Sequence, residues 1–274
     1  MSKTIIVVDG RVLLEGKVIY MATWVTHLMI ADRIMKKTKG LDRRGFCVGN
    51  IAPDCNVEND DWTFYTPSRE ITHWMSGKDK TVSNGDLFYE EYIRNRTGEI
   101  ESEEQYAFLL GYYAHLITDA AFQNFVRDEN RVKAAWKRIK TDEYWRERAK
   151  GYPEDWNSIR KMVPKNIRMN EIFTMEAEYL KEHPDSGYLT EIVPLKEFPD
   201  YIDYLPHGCI ARKIRIMGRI PEVDENIGNP VTISRAEYDL FVNHAVELVL
   251  WKFGQTVKED MEYGRFEIDC GMLE

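Results

Sequence analysis

Residues 106–126 read YAFLLGYYAHLITDAAFQNFV, preceded by Ser102-Glu103-Glu104-Gln105. The serine-then-glutamine spacing is that of a capping box and predicts a helix beginning at Ser102. The stretch that follows is apolar on nearly every side, so the helix must be surrounded by protein, and the rest of the chain has to form a jacket around it. His115 and Asp119 interrupt that apolar surface. They are four apart, so both side chains leave one face of the helix a turn from each other. In isolation such a pair is better explained by a buried hydrogen bond than by a metal site, and its company elsewhere in the sequence has to decide.

The chain has 274 residues, 43% of them hydrophobic, which suits a folded protein with a substantial core. A formal net charge of -9 works against any role as a nucleic-acid scaffold, since most of the surface would repel a phosphate backbone. Cys47, Cys55, Cys209 and Cys270 are widely spaced and form no C-x-x-C pair, so neither a disulfide framework nor a zinc knuckle is expected. No run reaches the roughly 18 apolar residues of a membrane span. The apolar run Ile5 to Val8 is cut by Asp9, Gly10 and Arg11 and is too short for a secretory signal, so a cytoplasmic location is expected.

Residues 1–20 differ from the rest, alternating in a strand-like way around Asp9-Gly10. Two readings stand: a short N-terminal β-hairpin, or an extension ahead of a natural start at Met21. From Thr23 to about Lys37 the pattern is helical, with Trp24, His27, Leu28 and Ile34 on one broad face. An acidic segment from Pro53 to about Gly85 lacks helical periodicity and reads as a long loop. Further helices are expected over about 129–150, 154–162, 166–182, 199–218 and 233–253, separated by Pro184, Pro221 and Pro230. With no strand-helix alternation and no repeat, the expectation is an all-α, single-domain multi-helix bundle over 21–274.

Three further residues keep His115 and Asp119 company. His27 lies on the first apolar helix, His73 in Thr72-His73-Trp74 after the long loop, and Asp54 after Pro53 in GNIAPDC. Each alone reads as a satisfied core histidine or a turn aspartate. Together, imidazoles with carboxylates suit zinc or another borderline divalent metal, and the lack of clustered thiolates argues against a purely structural zinc site.

The segments MATWVTHLMIAD, FCVGNIAPDC, ITHW and GYYAHLITD, in this order, resemble the metal-binding core of the bacterial zinc-dependent phospholipase C family, whose fold is shared with single-strand nucleases. The resemblance implies that Asp54, His73, His115 and Asp119 hold one zinc and that His27 joins Asp119 at a second. It also implies that Asp54 orients or deprotonates the attacking water. One to three zinc ions would serve hydrolysis of a phosphate ester, a small molecule or lipid headgroup, and most directly a phosphodiester.

The sequence also departs from that pattern. Prototypical members carry another histidine shortly after H-x-x-x-D and then an H-x-x-x-E pair, whereas this chain has Gln123, Asn124 and Phe125 in the first region and no H-x-x-x-E. His244 and Glu247, three apart, are the nearest substitutes, with Glu171 and Glu176 as other carboxylate sources. An HD-type phosphohydrolase would need an adjacent His-Asp pair, which is absent. A metal-stabilised binding protein without catalysis is the rival from a different class.

Overall fold

A computed structural model describes residues 23–60, 63–76, 81, 83–256 and 267–268, together with the backbone of 7–8 and 11–12. Val7–Val8 (β1) pairs antiparallel with Arg11–Val12 (β2), the hairpin that the Asp-Gly signal predicts. Met21 and Cys270 lie outside the described residues.

Eleven α-helices are assigned among the described residues: Trp24–Met35 (α1), Arg43–Gly49 (α2), Arg69–Thr72 (α3), Gly85–Tyr89 (α4), Glu103–Arg127 (α5), Glu129–Thr141 (α6), Glu143–Arg148 (α7), Trp156–Met162 (α8), Lys165–Glu182 (α9), Cys209–Met217 (α10) and Arg235–Thr256 (α11). Two further antiparallel pairs are short: Thr38–Lys39 (β3) with Glu267–Ile268 (β6), and Val57–Glu58 (β4) with Tyr65–Thr66 (β5). The fold is all-α in character, with the strands as small clasps.

Helix α5 is the axis. It is buried from Tyr106 to Asp119 and again over Ala121 to Gln123, as its sequence requires. Ser102 Oγ accepts the Gln105 amide at its start, while the Gln105 side chain accepts from Glu101 N rather than from Ser102 N, so the capping box closes one residue early. Helices α1, α2, α4, α6 and α11 pack against α5. Phe46, Phe108 and Phe253, from α2, α5 and α11, have no exposed surface, and burial of each contributes roughly 2–3 kcal/mol.

The closest packing is between α2 and α5, and glycine makes it feasible. A Cβ at Gly49 would lie 2.1 Å from Phe108 O, and one at Gly111 would lie 2.3 Å from Phe46 O. No side chain fits at either point, so the two backbones touch directly.

Several boundaries differ from expectation. The span expected as one helix over 129–150 breaks at Asp142, whose side chain accepts Trp145 N and starts α7 afresh. Of the helix expected over 199–218 only 209–217 forms, because Pro206 cannot continue a helix and Gly208 takes the left-handed region at φ 65°. The segment expected as one loop holds a 3-10 turn at Ala52–Asp54, the β4–β5 clasp and α3.

Candidate metal centre

Four elements deliver the polar residues to one end of the α5 face. His27 comes from α1, Asp54 from the 3-10 turn after α2, His73 from the C-cap of α3, and His115 and Asp119 from α5. His115 Nδ1 donates to Asn50 O at 2.8 Å. A carbonyl oxygen only accepts, so Nδ1 carries the proton and Nε2 presents its lone pair to the cluster. His73 reaches the same state by a different route. Arg69 Nη2 donates to His73 Nε2 at 2.5 Å, which leaves Nδ1–H to donate to Thr72 Oγ1 at 2.9 Å.

The Nε2 atoms of His115 and His73 are 3.3 Å apart. His73 Nε2 lies 3.4 Å from Asp54 Oδ1 and 3.5 Å from Asp119 Oδ2, and His115 Nε2 lies 3.8 Å from Asp119 Oδ2. A tetrahedral zinc with bonds of about 2.0–2.1 Å separates its donors by roughly 3.3–3.4 Å, so the His115–His73 and His73–Asp54 spacings suit ligands of one ion. His27 stacks on His115, with ring centroids 3.9 Å apart and planes within 7°, and its Nε2 is 3.4 Å from Asp119 Oδ1. Asp119 thus turns one oxygen to His73 and His115 and the other to His27.

Electrostatics favour a cation here. Burial pushes His27, His73 and His115 down to about 4, so all three are neutral at pH 7 and able to donate a lone pair. Burial raises Asp119. For Asp54, burial is outweighed by the Arg69 charge and the His73 hydrogen bond, which hold its carboxyl well below the usual carboxylate range. Both ring nitrogens of His27 and Oδ1 of Asp119 are buried without a hydrogen-bond partner. Orphaned lone pairs of this kind are costly unless an ion takes them. The donor set therefore fits a divalent metal. His27, His115 and Asp119 form one group of converging ligand atoms, and Asp54, His73 and His115 another.

Comparison with known families bears on the same segment. Residues 26–122, which carry all five residues, match the family described as zinc dependent phospholipase C. Over this segment the chain is similar to that family. No curated protein and no solved structure matches the chain.

The substitutes expected for the remaining ligands of a zinc-dependent phospholipase C lie elsewhere. His244 and Glu247 are on the exposed side of α11, and neither joins the converging groups. His244 lines a separate cavity of about 780 Å³, walled by Leu116, Ile117, Ala121, Phe125, Phe241 and Leu248. The α11 register that buries Phe241, Ala245 and Val249 turns residues 244 and 247 outward.

Glu171 and Glu176 are occupied as well. Glu171 accepts from the amides of Val231, Thr232 and Ile233 at 2.7, 3.0 and 3.0 Å, and from the Thr232 hydroxyl. Arg131 and Arg138 donate to Thr232 O on the same segment. Glu176 Oε1 accepts from Thr26 N at 2.9 Å and from the Thr23 and Thr26 hydroxyls, capping α1 just ahead of His27.

Two contributors escape a reading of the motifs. Arg69 donates to Asp54 Oδ1 at 3.0 Å, and Trp24 Nε1 donates to Asp54 Oδ2 at 3.2 Å. The signal for Arg69 was its spacing, four residues before His73 and directly after the N-cap Ser68, which aims both side chains at one point.

Proposed function

We propose that this protein is a metal-dependent hydrolase of phosphate esters, acting on a phosphodiester, with zinc as the ion. The observation that carries the reading is the convergence of Asp54, His73 and His115 in one ligand group and of His27, His115 and Asp119 in another, with orphaned polar atoms on His27 and Asp119. Bound there, zinc would supply Lewis-acid polarisation of the phosphoryl oxygen and acidify a water.

The chain's own residues do the rest. Asn50 fixes the tautomer of His115, and Thr72 Oγ1 can accept from Nδ1 of His73, so both rings can present Nε2 to an ion. Asp119 faces both groups and can join two ions. Asp54, anchored through Oδ2 by Trp24, keeps an ionised carboxylate beside the reacting centre, where it orients a water or accepts its proton. The apolar cavity shares Ser83, Leu116 and Ala120 with the small pocket lined by Arg69, His73, Asp119 and Gln123, so an apolar part of the substrate has a place next to its phosphate. A lipid headgroup ester fits that layout.

The test is elemental analysis of protein purified without a metal-affinity tag, followed by turnover of a chromogenic phosphodiester with and without chelator. About two equivalents of zinc and chelator-sensitive turnover support the reading. The second reading, a metal-stabilised binding protein, rests on Gln123 lining the pocket where a further histidine ligand was expected. Bound zinc with no turnover on any phosphate ester would favour it.

A further inference from the structure

His73 ends the short helix α3, and the backbone leaves it through a strained residue. Trp74 N donates to Ile71 O at 3.1 Å and Met75 N to Glu70 O at 2.9 Å, the paired bonds that close a helix when the next residue turns left-handed. Glycine usually fills that position, because a side chain there crowds the backbone. Here Trp74 fills it, with φ at 50°. A bulky residue in this region costs free energy and persists only where its surroundings hold it.

Trp74 is held by a closed circuit of hydrogen bonds. Its Nε1 donates to the Tyr204 hydroxyl at 3.0 Å, Tyr204 donates to the Tyr112 hydroxyl at 2.9 Å, and Tyr112 donates to Thr72 O at 2.5 Å. An indole N–H only donates and a carbonyl only accepts, so the direction of all three bonds is set and each phenol uses its one proton. The circuit leaves from the residue after His73 and returns to the residue before it. Ser83 Oγ donates to His73 O at 2.9 Å and Asn84 N to Trp74 O at 2.8 Å, so the carbonyls of 72, 73 and 74 are all tied.

The far side of the circuit is anchored separately. Asp203, beside Tyr204, accepts from the Tyr92 hydroxyl and, at 3.1 Å, from Arg96 Nη1. Tyr201 donates to Glu104 Oε1 at 3.0 Å, in the first turn of α5. The rings of Trp74 and Tyr204 both meet Tyr92 edge-on, with centroids 6.0 and 5.7 Å away. Tyr204, 130 positions from Trp74 in the chain, thus carries the constraint of its own segment to both flanks of His73.

We propose that Tyr204 is the positioning residue for His73: it touches no candidate ligand atom, and it sets the backbone from which His73 presents its ring to the metal centre. The inference rests on the metal-centre reading and not on turnover.

Tyr204→Phe deletes one oxygen and opens the circuit at two bonds. Zinc affinity, measured by competition with a chromogenic chelator, should weaken by about tenfold or more, the scale of losing a partner that orients a metal ligand. Tyr201→Phe is the control, since it deletes a phenolic hydrogen bond on the same segment. Its stability should fall as well, with zinc affinity kept within about twofold. The visible absorption of cobalt-loaded protein should shift in Tyr204→Phe and stay unchanged in Tyr201→Phe. If Tyr204→Phe does not fold, Trp74→Phe opens the circuit at its other end and should weaken zinc binding to a similar degree. Zinc affinity within about twofold of the unaltered protein in the circuit variant that folds would overturn the proposal. So would equal weakening in Tyr201→Phe, because lost stability alone would then account for it. A protein that takes up no zinc defeats the metal-centre reading and this inference together, whereas zinc bound without turnover defeats the hydrolase reading alone.

Discussion

The carbonyl of Asn50 receives the Nδ1 proton of His115 at 2.8 Å, so a candidate ligand on the central helix is oriented by the helix packed beside it. That bond exists only because Gly49 and Gly111 let the two backbones meet. Gly49→Ala places a methyl 2.1 Å from Phe108 O, and the helices must separate. The expected result is a loss of at least about 2 kcal/mol of stability and weaker zinc binding in whatever folds. Urea denaturation and zinc titration of the variant measure both, and unchanged zinc affinity would show that the α2–α5 contact does not hold the site.

His115→Ala removes the residue shared by both ligand groups and the stacking partner of His27. Zinc content should fall toward zero. Stability should drop by about 3 kcal/mol or more, since the neighbouring carboxylates are left buried beside fewer partners. Elemental analysis together with a melting curve tests this, and full zinc occupancy in the variant would contradict it.

Glu247→Ala and His244→Ala serve as the contrasting pair. Both side chains are exposed on α11 and stand apart from the converging ligand groups. Stability should stay within about 0.5 kcal/mol of the unaltered protein, and zinc stoichiometry should not change. Loss of one zinc equivalent from either variant would restore these residues as ligands.

Glu176 gives the fold a pH dependence of defined sign. Burial pushes its carboxyl up to about 8 from an ordinary 4.5. Between those values the folded state keeps a proton that the unfolded chain has lost, so this group's effect is to lower stability as pH rises through the window. Glu176→Gln keeps an acceptor for Thr26 and removes the titration. Relative to the unaltered protein, it should gain stability steadily from about pH 5 to pH 8. A stability difference that stays flat over that range in chemical denaturation would show that Glu176 is not buried as a neutral acid.

What the sequence made legible follows from periodicity and local chemistry. The apolar wrap of 106–126, the helical pattern from Thr23 and the cap at Ser102 are local signals, and α1 and α5 form where they indicate. The gathering of His27, Asp54 and His73 around His115 was readable only through the family motifs, because residues tens of positions apart carry no local mark of contact. Arg69 went unnoticed because its role depends on where α3 docks. His244 and Glu247 show the converse error: correct spacing on a helix fixes a shared face, but packing decides which way that face turns.

The clamp on residues 231–233 has a consequence for how the chain can vary. Asn170 and Asp224 bond reciprocally, side chain to backbone, at 3.1 and 2.7 Å, so both flanks of the stretch 225–230 are fastened to α9. The stretch between is largely exposed. A cut there should leave two associated fragments, and an inserted peptide should be tolerated without disturbing α11. This makes 225–230 the natural port for a reporter or a grafted binding loop, remote in sequence from the candidate metal residues.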